Sequence, residues 1–500
     1  MSLTKKIAHN TIIQIVGKVI STILGLFALA LITRYLGLEG FGEYTTVTTF
    51  LTFFAVIADL GLTVVTMQMI SGHHSQEEEN KIINNLFGVR LISTLILFSL
   101  APITVIFFPY SPTVKLGVII AIGTFIFPSL SQVIIGLFQK KLSMGRNTIA
   151  EVLGRITLIL GIIIAKYSNS GLNGILIVSV VSSAINFIVH YILALKFATI
   201  KLAYNWSLWK KILSKSWPIT ITIIFNLIYL RADILLLSIF RGNDEIGLYG
   251  AAYKIIDVLT TLPFMFGGLI LPIITTAWLD KNYNYFQKVL QKSFDFMMII
   301  AIPLVIGAQF LGRPLISLIA GKDFGEAGVI LQILIFAVAA IFIGTMFSYA
   351  VIAMDKQKRM IKFYAFTSIT ALAGYLILIP RFSYFGAAAI TVYSEALIAV
   401  CAAVCLYKYN RWLPSMQTSL KVFASSIIMG IFLYFLPKTM QETGILLLLS
   451  ISGASIIYFS SLYLLGGIKK EDLTAIFSRS PKNKTATYGS GQAPGPGTGL

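Results

Sequence analysis

Lys18, Asp59, Glu151, Arg155, Arg231, Asp233, Lys254, Asp257 and Glu395 all stand inside apolar stretches long enough to cross a bilayer. A charge at the middle of a membrane helix costs about 2.5–3.5 kcal/mol on insertion scales, so each must face a wet cavity, a counter-charge or the interface. Cations placed in this way suit phosphate, and Arg231, Lys18 and Lys254 are the candidates to hold an anionic group away from bulk water. Tyr229, Tyr249, Tyr253 and Trp217 offer rings and hydroxyls to a sugar, although aromatic residues of membrane helices commonly pack or anchor at the interface. A buried carboxylate such as Asp59 or Asp257 can take up a proton or a sodium ion, because desolvation penalises the bare anion. Which ion, if any, is not written in the sequence.

Each charge also has a structural reading. Glu151 and Arg155 at i,i+4 suit an ion pair on one helix face, and Lys254 and Asp257 at i,i+3 suit another. Lys18 lies about two turns from the cytoplasmic end of its helix, where snorkelling competes with a cavity role. Arg231 and Asp59 lie deeper. Arg231 and Asp233, two residues apart, point to different sides of their helix, so Arg231 is the foremost ligand candidate and Asp233 serves structure or cavity equally well.

The elements that position these residues are helices. Of 500 residues, 57% are hydrophobic and 12% charged, about half the charged share of a soluble chain. Apolar runs of about 20 residues predict helices near 10–34, 44–70, 86–108, 115–138, 146–166, 171–195, 217–240, 248–277, 293–311, 328–354, 360–380, 386–407, 418–436 and 444–466, about fourteen in all. An all-α integral membrane fold follows. Six helices would form a first lobe over 1–205 and six a second over 206–411, with a helix pair over 412–468 and a disordered cytoplasmic tail over 469–500. Lys5 and Lys6 precede a first apolar stretch too long for a signal-peptide core, so it stays as the first helix.

The net charge of +19 would suggest nucleic acid in a soluble protein. Here the cations sit beside the ends of spans. With the N-terminus inside, the even-numbered loops and both tails hold about 27 Lys and Arg and the other side roughly eight. That asymmetry is positive-inside bias; it places both termini in the cytoplasm and excludes a nucleic-acid partner. The connector with Trp206, Trp209, Lys210, Lys211 and Lys215 reads as an interfacial segment against anionic lipid. Cys401 and Cys405, one turn apart in an apolar run, suit packing, and His73, His74 and Glu77 to Glu79 lack metal-ligand spacing and read as a solvated loop. No metal or cofactor is expected.

The chain also carries a repeat. GLEGFGEY (Gly37–Tyr44) and GNDEIGLY (Gly242–Tyr249) follow the first and seventh predicted helices, and Gly37, Gly42 and Tyr44 recur 205 residues later as Gly242, Gly247 and Tyr249. Two halves of six helices each keep the same way up, as in transporters built from parallel repeats.

Together with ADLGL (Ala58–Leu62), GKDFGEAGVILQIL (Gly321–Leu334) and IPRFSYFGAAAITVYSE (Ile379–Glu395), those passages make the chain resemble the MOP superfamily, and within it the polysaccharide-type lipid-linked oligosaccharide flippases. The resemblance implies two six-helix lobes in a V, a central cavity lined by helices 1, 2, 7 and 8, and alternating access in the cytoplasmic membrane. It implies a lipid-linked oligosaccharide on undecaprenyl pyrophosphate as cargo, with polysaccharide-assembly partners unspecified. A multidrug exporter of the same superfamily would carry an acid in helix 1, where this chain has Lys18. Lipid II flippases carry clustered arginines, whereas these charges are mixed in sign. A membrane glycan polymerase or ligase would need large outer loops, and these are short, so no enzymatic activity is expected.

Overall fold

The computed structural model describes residues 3–70, 75–437 and 444–468, so His73, His74 and the tail beyond 468 lie outside the described residues. Its regular structure among those residues is helical: α1 (Leu3–Asp59), α2 (Leu62–Ile70), α3 (Gln76–Ile106), α4 (Pro112–Lys140), α5 (Met144–Tyr167), α6 (Gly171–Ala194), α7 (Trp206–Phe240), α8 (Asn243–Leu279), α9 (Tyr283–Ala320), α10 (Ala327–Ala353), α11 (Gln357–Asn410), α12 (Gln417–Phe435) and α13 (Gly444–Leu464). By length and hydropathy, eleven helices among the described residues can cross a membrane, or twelve when the bent α7 is taken as one span. The expectation of about fourteen is not met on that measure. The difference lies in α1 and α11, each of which is two helices merged across a kink, at Gly37 (φ 68°) and Ser383 (φ 53°). Glycine meets that left-handed backbone without a Cβ penalty, and Ser383 meets it with a hydroxyl hydrogen-bonded to Glu245.

Packing runs mainly within two groups. Helices α3 to α6 pack on one another and on α1, while α7 to α11 form a second set, and the two meet where α1 lies against α7 and α8. The outward faces are apolar, with Phe107, Ile164, Tyr167 and Phe435 among many bare side chains, as lipid requires. The helices α12 and α13 dock on α9, where Tyr458 donates to the Ile299 carbonyl at 2.7 Å. Cys405 is buried and Cys401 partly so, both reduced and packed between α9, α10 and α11, as their spacing predicts.

Two local expectations need correction. Trp209 is not an interfacial anchor: it is 7% exposed, its indole donating to Asn85 Oδ1 at 3.1 Å. Asn80 and Asn84, on the same face of α3, accept from the backbone of Thr199 and Lys201, so the connector is stitched to α3 by polar side chains that hydropathy does not register. Glu77 to Glu79 are not loop either. Ser75 and Glu78 form a capping box that starts α3, and Glu79 pairs with Lys140 (2.9 Å) and Lys141 (3.0 Å).

The repeated glycines explain themselves in three dimensions. A Cβ on Gly42 would lie 1.8 Å from the Asn243 carbonyl oxygen, and one on Gly247 would lie 2.4 Å from the Leu38 carbonyl oxygen. The two copies of the repeat therefore touch, backbone on backbone, and close the seam between α1 and α8. Gly42→Ala is expected to lower thermal stability by about 1–3 kcal/mol, since the obstacle is main chain. Gly268→Ala, with open space around its Cβ position, is the control and should leave the melting temperature nearly unchanged in a detergent thermal-shift assay.

Candidate functional site: a cationic cavity and its paired flank

Close packing of α1 on α5 sets the geometry. Gly17 has no room for a Cβ beside Thr148, and Gly25 leaves its space to the Arg155 guanidinium, whose Cζ stands 3.6 Å from where a Cβ would be. Lys18 from α1, Arg155 from α5 and Lys254 from α8 consequently line one cavity of about 290 Å³, together with Ser21, Tyr44 and Asp257. None of the ion pairs among the described residues includes any of these three cations. Lys18 and Lys254 thus line the same cavity. Arg155 joins them, a correction to the expected pair with Glu151: Glu151 accepts instead from Asn147 Nδ2 at 2.9 Å, and Arg155 turns toward α1.

Asp257 is the hinge to a second chamber of about 380 Å³, lined by Tyr229, Arg231, Tyr253, Tyr364 and Glu395. Arg231 Nη2 donates to Asp257 Oδ1 at 2.7 Å, and the guanidinium stands 5.0 Å from the centre of the Tyr253 ring. The two partners are 32% and 33% exposed, so both reach the cavity while neutralising one another. Lys254 does not take Asp257 as its i,i+3 partner, because Arg231 reaches across from the other helix. The supporting α7 bends by 51° between Tyr229 and Arg231.

Of the remaining expected residues, Tyr229 and Glu395 stay on the wall of that second chamber and the others are engaged elsewhere. Asp233 is fully buried; it accepts from Tyr249 (2.7 Å), Thr391 (3.1 Å) and the Ile234 amide (2.8 Å). Tyr249 is fully buried with its hydroxyl in that network, and Tyr229 stacks on Tyr364 with ring centres 6.3 Å apart. Trp217 is exposed and lines neither chamber. Glu395 is buried, and one carboxylate oxygen has no hydrogen-bond partner.

Asp59 does not reach the cavity as a bare acid. It pairs with Arg90 of α3, and Thr63 joins them, donating to Asp59 at 2.5 Å and lying 3.2 Å from Arg90. The break at Leu60 and Gly61, both at positive φ, separates α1 from α2 and lets Thr63 turn back onto Asp59. Sequence reasoning missed Arg90, because it stands near the predicted cytoplasmic end of its span and reads as an interface cation. Also missed were Gln132, Asn186 and His190, which with Ser131, Ser183 and Glu151 line a polar chamber of about 350 Å³ that shares Lys18, Tyr44 and Arg155 with the first cavity. Uncharged amides raise no alarm on an insertion scale. The His190 ring contacts the Asn186 carbonyl and Asn147 Oδ1, both at 2.9 Å.

The arrangement is one cavity with bare cations, flanked by a wall of amides and hydroxyls on one side and an internally neutralised ion pair on the other. A family model described as "Polysaccharide biosynthesis protein" matches residues 7–278. The chain is 23% identical over 382 residues to a putative O-antigen transporter of Shigella dysenteriae, covering 74% of this chain and 92% of the relative. It is 22% identical over 447 residues to a probable flippase, AglR, of Haloferax volcanii, covering 86% and 89%. Among solved structures, the lipid II flippase MurJ in an inward closed conformation matches with a TM-score of 0.75 at 17% identity, covering 93% of this chain and 100% of that one. An inward-facing MATE-family multidrug transporter of the MOP superfamily matches with a TM-score of 0.64 at 14% identity, covering 80% and 97%. Both structural likenesses speak to fold: the chain has the MOP fold.

Arg90 is 3% exposed and Asp59 20%, so removing either partner strands a charge. Asp59→Asn and Arg90→Gln are each expected to cost about 3–5 kcal/mol, and the combination Asp59→Leu with Arg90→Met is expected to recover most of it. A double-mutant cycle read by thermal unfolding measures the coupling.

Proposed function

The chain belongs to the polysaccharide biosynthesis protein family, and from that premise we propose that it is a flippase for a lipid-linked oligosaccharide carried on a polyprenyl diphosphate in the cytoplasmic membrane. Lys18, Arg155 and Lys254 are the observation that carries this reading. Three cations in one cavity without carboxylate partners are expensive in a membrane protein unless an anion visits. A diphosphate has the charge and the acceptor oxygens to satisfy them. The polar chamber of Gln132, Ser131, Ser183 and Asn186 suits the glycan, because its hydroxyls need donors and acceptors in turn. The Arg231–Asp257 pair lies at the far wall, where cargo phosphate competes with Asp257 for the guanidinium. Tyr253 is the aromatic group best placed to touch cargo there.

The names of the relatives support this reading, and the cavity's sign argues against cationic drugs as cargo. Translocation requires no bond to be made or broken, only access to each leaflet in turn. The contact of the two glycine repeats closes the α1–α8 seam at the end away from the chain's N-terminus. With both termini in the cytoplasm, as the positive-inside bias supports, that end is the outer one and the cavity waits for cargo from inside.

Each charge-assisted contact contributes about 1.5–3 kcal/mol. Lys18→Gln combined with Lys254→Gln should therefore slow glycolipid translocation in proteoliposomes by at least about tenfold, at matched reconstitution. Arg155→Gln should do the same alone, while Glu151→Gln should have little effect. Unchanged translocation in the Lys18/Lys254 variant, or export of a cationic dye in place of glycolipid, would sink the reading.

A further inference from the structure

A second cationic cavity lies farther along α1, just before its kink at Gly37. Arg34 is sixteen residues beyond Lys18, about 24 Å along the helix. There Arg34, Arg313 and Lys322 line one cavity of about 990 Å³, with Asp323 the acid among them and Ser317 a further polar group. Arg34 is held in place: its Nη2 donates to the Leu318 carbonyl at 2.7 Å, and its side chain passes the Cβ-free face of Gly321, a residue at φ 112°. Arg313 is fixed through its backbone, since α9 and α10 touch where Gly328 has no room for a Cβ beside the Arg313 main chain. Phe324 forms the floor, packed edge-on against Phe41.

The sign of this cavity is out of keeping with its place. The outer side holds only roughly eight Lys and Arg, as positive-inside bias requires, yet three of them converge here. Other cations on that side are spent on protein: Arg241 donates to the Ile379 and Pro380 carbonyls and stands 3.8 Å from Glu245, and Lys115 donates to the Ile106 carbonyl. Arg313 and Lys322 take part in no ion pair among the described residues. One acid against three cations leaves an excess positive charge in a recess that opens where lipid headgroups lie.

We propose that Arg34, Arg313 and Lys322 form a second phosphate-binding site, at the outer end of the seam between α1 and α9, that takes a phosphate group carried by a lipid. On the flippase reading, on which the direction of use rests, this is where the cargo's diphosphate is handed over after leaving Lys18, Arg155 and Lys254. Two sites of like chemistry about 24 Å apart along one helix give the anion a partner at each end of its path, so neither end binds it without competition.

Native mass spectrometry of the full chain, titrated with farnesyl diphosphate, tests the site. The wild type is expected to hold two equivalents. Arg313→Gln with Lys322→Gln should lose one, its affinity falling by about tenfold or more, while Lys18→Gln with Lys254→Gln should lose the other and keep the outer one. Arg313→Lys with Lys322→Arg preserves charge and should restore binding, which separates loss of charge from misfolding. Parallel titrations with phosphatidylglycerol and with inorganic pyrophosphate distinguish the sources. Displacement of the outer equivalent by phosphatidylglycerol identifies a resident-lipid site, and failure of pyrophosphate to bind shows that the lipid tail is needed. An outer equivalent that survives Arg313→Gln/Lys322→Gln, or that never appears, overturns the proposal. An outer equivalent held by a wild-type protein that does not translocate glycolipid refutes the flippase reading and leaves the site standing.

Discussion

The cost of an unpaired charge in hydrocarbon is the constraint on which the rest of this structure depends. It sorts most of the intramembrane charges into two classes, with Glu395 apart, buried with one carboxylate oxygen unpartnered. Asp59 with Arg90 and Arg231 with Asp257 pair across helices, and Asp233 is satisfied by hydroxyls and an amide. Lys18, Arg155 and Lys254 are not settled in this way, and they share one cavity. The pairs hold helices together; on the proposed flippase reading the unpaired cations select what enters between them. Stability and recognition are thus separated by partner, though both draw on the same residue types.

Glycine provides the other half of the design. Gly17 lets α1 press against α5 so that Lys18 and Arg155 share a wall, and Gly42 with Gly247 lets the two halves meet main chain to main chain. An apolar cluster flanks the same seam, with Leu29, Ile32 and Phe41 of α1 buried in one core with Ile246, Leu248 and Ile255 of α8, and further clusters lie among α2, α3 and α4 and among α9, α10 and α11.

Much of this was legible in the sequence. Hydropathy located the apolar cores of the helices, because a span must be apolar over about 20 positions, but α3 (Gln76–Ile106), α7 (Trp206–Phe240) and α9 (Tyr283–Ala320) each begin about ten residues before the expected start, in polar turns that hydropathy does not count as span. The repeat of Gly42 as Gly247 foretold a symmetric feature, though not that the two copies touch. Partner choice was not legible. Glu151 and Arg155, and Lys254 and Asp257, have the spacing of intrahelical pairs, yet Asn147 and Arg231 reach Glu151 and Asp257 first. Spacing reports which side chains share a face; only packing reports what stands opposite. Arg90 escaped notice because it sits near a helix end, and Gln132, Asn186 and His190 because neutral polar groups carry no strong penalty in a hydropathy reading. Trp209 misled for the converse reason, an indole of interfacial type spent on a buried hydrogen bond with Asn85.

Cryo-electron microscopy of the chain in lipid nanodiscs saturated with a lipid-linked oligosaccharide tests the cationic cavity most directly. The account predicts diphosphate density within hydrogen-bonding reach of Lys18, Arg155 and Lys254, with the glycan extending toward Gln132 and Asn186. Diphosphate bound elsewhere while those three cations remain bare would contradict it.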